Sequence, residues 1–322
     1  MTPRVDPLIA ELVTGAKTPD TGVKNAMLKA LYEVVSKAGG NMNEASRNSI
    51  LNLIDSDAAD EDDAMVITLA RLLGALIKVL PDDAAANLIK HRVLTTHFSK
   101  PSILALNAIL AESPGSLTGP FGAETVAVIC AGIKDSQTVV SENAILAAGK
   151  YFLTPSSTKD FETCKPLFEA LAPVIAPGNP IDIRRLSLVV VRTVSRHHND
   201  LVRPHLPILT PPIFASVRDL IIPVKLAAEA AFLAIFSVVD EDANVFEKYL
   251  AGPGASLAAP QKRMMQDYFK RVAMRLAQQA RERKEAEGGQ GGLGLSSDEV
   301  EDEREVWSVG KVDLGEGGLG GE

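Results

Sequence analysis

The sequence predicts an all-α solenoid, a stack of helical hairpins sharing one continuous core. Three observations carry this reading. Apolar residues recur at spacings of three and four along most of the chain, a two-helix unit returns at a steady interval, and aromatics make up only 5% of a chain that is 46% hydrophobic. A core built mostly of Ala, Leu, Val and Ile suits closely packed helices better than sheets. No stretch sustains a two-residue alternation, and no Asn-Gly or Asp-Gly hairpin dipeptide occurs.

The elements follow in order. Leu8, Ile9, Leu12 and Val13 mark a short first helix, and Lys17 to Asp20 reads as a turn. Val23, Ala26, Met27, Ala30, Leu31, Val34 and Val35 then form one broad apolar face, ended by Gly39-Gly40. Later hairpins pair 43–54 with 62–80, 82–93 with 101–112, 121–133 with 138–152, 159–175 with 181–197, and 201–217 with 221–238. Val23, Val66, Ile103, Val140, Ile183 and Val224 are equivalent positions near the starts of second helices. They recur about every 40 residues, the period of HEAT/armadillo-like helical hairpins. Asp20, Asp135, Asp182 and Asp219 stand where a carboxylate caps the helix that follows. Pro207, Pro211 and Pro212 are expected to kink the first helix of the sixth hairpin.

This gives three regions: HEAT repeats over 1–240 in about six hairpins, capping helices over 241–287, and a disordered tail over 288–322. The capping region is read as a short helix from Asp242 to Leu250 and a long one from Ala258 to Glu287. The early half of the long helix, with Met264, Met265, Tyr268, Phe269, Val272, Met274 and Leu276, is expected to pack. The tail holds eleven of the 24 glycines and nine acidic residues against Arg304 and Lys311. Nearly all of the net charge of −8 therefore resides in the tail, and the body is nearly neutral. A neutral body lacks the general field of a polyanion binder. The first hairpin carries no polar cap, so it is expected to continue a longer array or to be covered by another polypeptide.

Two cysteines and no apolar leader at MTPRVDPLIAELV point to a reducing, cytoplasmic setting. The most apolar stretch, Pro223 to Val239, is interrupted by Lys225 and Glu229 and reads as a buried soluble helix, with no membrane contact. Cys130, in VAVICAGI, is expected to be buried, and Cys164, in a charged stretch, partly exposed. His197 and His198 point about 100° apart on a helix, which suits a helix end better than a shared metal. No Ser-His-Asp order, phosphate loop or dinucleotide fingerprint occurs, so no catalytic residue, cofactor or metal is assigned and the chain is not read as an enzyme.

Basic residues supply the candidate interaction sites. Lys24, Arg71, Arg184, Arg185 and Lys225 lie near the starts of second helices, which line the inner face of such arrays. They are suited either to an acidic partner segment or to ordinary pairing between repeats. Arg184, Arg185 and Lys225 are the candidate partner-binding residues, since a guanidinium fork holds a carboxylate with two bonds. Lys262, Arg263, Lys270, Arg271, Arg275, Arg281, Arg283 and Lys284 make the last helix basic, either as a solvated face, as an RNA-backbone contact or as a seat for the acidic tail. Ser296 and Ser297, followed by Asp298, Glu299, Glu301 and Asp302, are candidate phosphorylation sites. Trp307, the single tryptophan, sits between acidic runs as a candidate docking residue.

The segment VDPLIAELVTGAKTPDTGVKNAMLKALYEVVSKAG (Val5 to Gly39) closely resembles the C-terminal HEAT region of the general-control translational activator family. Asp62 to Leu80, Val93 to Leu110 and Pro223 to Phe232 are also similar. Members are giant ribosome-associated coactivators of the kinase that phosphorylates the alpha subunit of initiation factor two. The resemblance implies a regulatory scaffold whose partners are the RWD-type domain of that kinase and the ribosome. It supplies no site residue to this chain. The competing reading is an unrelated HEAT adaptor, such as a proteasome-associated or transport scaffold.

Overall fold

A computed structural model describes residues 5–57, 63–94, 100–154, 161–237, 251–252, 255, 258–260, 262–268, 270–271, 274, 278 and 304–308. They fall into two compact units, Met1–Lys159 with Trp307–Glu322, and Asp160–Val306. Among the described residues the structure is helical, with a single isolated bridge between Pro177 and Asn179 at a turn where Gly178 adopts φ +104°.

The first unit contains α1 (Val5–Gly15), α2 (Thr21–Ala38), α3 (Glu44–Asp57), α4 (Asp63–Val79), α5 (Asp82–Leu88), α6 (Lys100–Glu112), a single turn α7 (Gly115–Thr118), α8 (Gly122–Ile133) and α9 (Thr138–Leu153). Asp20 caps α2, its carboxylate accepting the Val23 amide at 2.9 Å. Asn43 does the same for α3, accepting from the Ser46 amide at 2.8 Å. Helix α5 runs on as a π stretch, Ile89–Val93, closed by a 3.0 Å bond from the Leu94 amide to the Ile89 carbonyl.

Second helices pack in a row, α2 on α4, α4 on α6 and α6 on α9, and each hairpin closes on itself, as α1 does on α2 and α8 on α9. This neighbour-to-neighbour order defines a solenoid. The row is where the core sits. Every residue from Ser102 to Leu110 of α6 and from Val140 to Phe152 of α9 is buried. A helix buried all round has neighbours on every side. Val66 and Ala70 of α4 meet Leu104 and Ala108 of α6. Gly74 lets the two helices close further, because a Cβ there would stand 3.1 Å from the Ala108 backbone.

The second unit contains α10 (Phe161–Ile175), α11 (Ile181–His197), α12 (Asn199–Val202), α13 (Leu206–Ser216) and α14 (Ile222–Ser237), with α11 on α14 and α10 on α13. The helix expected over 201–217 is instead α12, a 3-10 turn at Arg203–His205, and α13. The break falls at Pro204, ahead of the expected kink; Pro207 lies in the first turn of α13, and Pro211 and Pro212 lie inside that helix. Farther on, Met265 is buried and Tyr268 packs edge-on against Phe232 at 5.5 Å. Met274, expected to pack, is 65% exposed. The short helix expected at Asp242 to Leu250, together with Phe269, Val272 and Leu276, lies outside the described residues.

Three further expectations need correction. Cys164 is fully buried, and Cys130 is the half-buried thiol, the reverse of the sequence reading. Cys164 falls on the inward stripe of α10 with Leu167, Phe168 and Leu171, while its charged neighbours take the outer face. Of the four capping aspartates, Asp135 and Asp219 accept from the Gln137 and Ile221 amides within their turns, and Asp182 already lies in the first turn of α11, behind Pro180. Val23 is 43% exposed, whereas its equivalents Val66, Ile103, Val140, Ile183 and Val224 are buried, because α2 has a second-helix neighbour, α4, on one side among the described residues. No described helix is long and apolar enough to cross a membrane.

Candidate protein-interaction surface

Polar residues bond to one another across repeats, most of them from second helices. In the first unit, Thr68 donates to Asn25 Oδ1, 43 residues away. Arg71 lies 4.6 Å over the Tyr32 ring, and Tyr32 donates to Glu112 at 2.5 Å, so α2, α4 and α6 are joined side chain to side chain. Arg92 forks onto Asp55, 37 residues away. The Asn107 amide donates to the Asn143 carbonyl and side-chain oxygens, both at 3.3 Å and 36 residues away. Lys150 is fully buried and donates to Asn107 Oδ1 at 2.5 Å and to the Ser308 carbonyl at 2.6 Å. Burial holds its ammonium well below the ordinary lysine range.

In the second unit, Arg184 is 3% exposed, far from the accessible site expected of it. Its Nε donates to the Ile175 carbonyl at 3.2 Å and its guanidinium pairs with Asp219, 35 residues away. That guanidinium, with the Ile221 amide behind it, holds the Asp219 carboxyl below the usual carboxylate range. Ser216 also donates to the Ile175 carbonyl, at 3.3 Å. Arg184 thus ties the end of α10 to the turn before α14, and the pairing alternative describes it. Arg185 is directed to Glu305, with two bonds of 3.0 and 2.5 Å. Lys225 is exposed on α14.

The remaining candidates divide sharply. Lys270 and Arg271 are exposed and helical. Arg275, Arg281, Arg283, Lys284, Ser296 and Ser297 lie outside the described residues. Trp307, read as part of a disordered tail, ends a helical turn at 304–307 and is 38% exposed, while Val306 beside it is buried. His197 closes α11, and His198 is its C-cap. Among the described residues no group of three His, Cys, Asp or Glu side chains could hold a metal ion.

Sequence reasoning offered pairing between repeats as an alternative for the basic residues but named no partner for any rung. The rung separations of 43, 37, 36 and 35 residues are the period of the array itself. A search for complementary polar residues one period apart is the signal that finds them.

Comparison with known proteins gives the arrangement a family. The family model for HEAT repeats of GCN1-like stalled ribosome sensors matches residues 6–287. The chain belongs to this GCN1-like family. The eIF-2-alpha kinase activator GCN1 of Saccharomyces cerevisiae is 39% identical over 345 residues, covering 97% of this chain and 13% of the yeast protein. The protein ILITYHIA of Arabidopsis thaliana is 24% identical over 260 residues, covering 77% of this chain and 10% of the plant protein. The stalled ribosome sensor GCN1 of Mus musculus is 35% identical over 81 residues, 25% of this chain and 3% of the mouse protein. The chain thus spans a small fraction of the length of these relatives.

Proposed function

We propose that this chain is a scaffold segment of translational control, acting by protein contacts that hold a kinase-regulatory partner and the ribosome together. The observation that carries the reading is the family match over 6–287, with 39% identity to a protein described as a kinase activator. The row of second helices supports it: they pack neighbour to neighbour, the arrangement of repeat arrays that bind partners along their surface. Activation then follows from co-localisation, with effective concentration replacing bond chemistry. The kinase partner is its RWD-type domain, and the setting is cytoplasmic. Ribosome contact runs through Lys270 and Arg271 and the basic residues beyond them, which meet RNA backbone.

The full chain is tested against the purified RWD-type domain by pull-down and against ribosomes by co-sedimentation. Binding at about 10 μM or tighter is expected. Ribosome association should weaken as salt rises and in a Lys270→Glu, Arg271→Glu variant. A chain that binds neither the domain nor ribosomes at about 100 μM is not this scaffold.

A further inference from the structure

Arg184 and Arg185 open α11 side by side but meet different fates. Arg184 is buried on Asp219, while Arg185 retains 27% exposure and takes a carboxylate from 120 residues farther along the chain. That carboxylate, Glu305, is 21% exposed and is held in a bidentate fork, Nη1 to Oε2 at 3.0 Å and Nη2 to Oε1 at 2.5 Å. The next residue, Val306, is fully buried. A planar fork on a carboxylate beside a buried aliphatic side chain is how a folded surface reads a short linear peptide: the fork fixes register and the buried side chain supplies desolvation. Glu305 ends the acidic stretch 298–305, whose other carboxylates reinforce attraction to a guanidinium, and Val306 follows it.

We propose that the α11 face around Arg185 is a receptor for an acidic linear peptide of the form Glu-aliphatic, and that residues 304–306 are its internal ligand. A partner segment of the same chemistry enters by displacing them. Because the internal ligand is tethered, it competes at an effective concentration of roughly a millimolar, and a weak partner is kept out until the segment lifts. This proposal concerns recognition by one helix face and stands apart from the scaffold reading: it holds whether or not the chain binds a kinase domain or a ribosome.

The test uses the full chain and a fluorescein-labelled peptide copying residues 300–310. Wild-type chain, occupied by its own segment, should bind the peptide poorly. Glu305→Lys should release the segment, shifting the emission of the adjoining Trp307 to the red and tightening peptide binding by about tenfold or more. Adding Arg185→Glu to a Glu305→Ala chain, whose segment carries no charge to pair with the new carboxylate, should abolish peptide binding, and a peptide with Lys at the Glu305 position should restore it. The charge-reversed rescue shows that the doubly substituted chain is still folded. Equal peptide affinity for wild type and Glu305→Lys, an unshifted tryptophan emission, or peptide binding indifferent to Arg185→Glu would each overturn the proposal.

Discussion

Replacing Arg184 by Met probes whether the repeats are stitched as described. The side chain is 3% exposed and its partner Asp219 10%. The substitution removes one cation and leaves two acceptors behind. The Ile175 carbonyl keeps the Ser216 hydroxyl at 3.3 Å, and Asp219 keeps the Ile221 amide at 2.9 Å. Removing one partner of a buried pair costs about 3–5 kcal/mol. Since Asp219 retains an amide donor and a turn position open to some water, the lower end applies, about 3 kcal/mol. With a urea slope of about 3 kcal/mol per molar, the midpoint should fall by about 1 M. Asp219→Leu added to Arg184→Met should recover part of the loss, because it removes the stranded carboxylate. The pH dependence has a definite sign. Arg184 lowers the folded-state value of Asp219 below the ordinary 3.8, so the pair's contribution is present above that value and lost as pH falls through the lowered one. The difference between wild type and Arg184→Met should therefore shrink from pH 5 toward pH 2. Urea titrations across that range, with hydrogen exchange at α11 and the turn before α14, measure this. A midpoint within error of wild type, or strictly additive single substitutions, would refute the stitching.

Gly74→Ala separates helix propensity from packing. Propensity alone would stabilise α4 by up to about 1 kcal/mol, but the added methyl meets Ala108 backbone at 3.1 Å, so a net loss of about 1–3 kcal/mol is expected in thermal unfolding. Lys150 is charged in the unfolded chain up to the ordinary 10.5 but resists protonation when folded, so wild-type stability should rise with pH toward 10.5, and Lys150→Met should lose that slope in urea titrations at successive pH values. Thiol labelling of the native chain should modify Cys130 first and reach Cys164 only on unfolding; equal rates would contradict their burial.

The helices were legible because each must bury one stripe, and a stripe leaves its period in the sequence. The span 181–197 is observed as read, whereas 201–217 is divided at Pro204, across which the apolar periodicity gives no sign of a break. Cys164 was misplaced because its local composition is charged while its helical phase is inward. The second-helix arginines were legible as residues able to grip a carboxylate. Which carboxylate each grips was not, because Asp219 and Glu305 lie 35 and 120 residues away and only the stacking register brings them near. The fully buried lysine gave no sign of itself, because a lone Lys150 among Ala and Gly reads as a solvent-facing position until its neighbours close over it.

Bonds that reach one period along the chain set a length scale for damage. A lesion in one hairpin is felt by the hairpin it is laced to, and beyond that the next rung must fail before distress travels farther. Within each unit, tolerance to substitution should therefore vary in bands about 40 residues apart, with the sensitive bands at the lacing residues and the permissive ones on outward-facing helix surfaces.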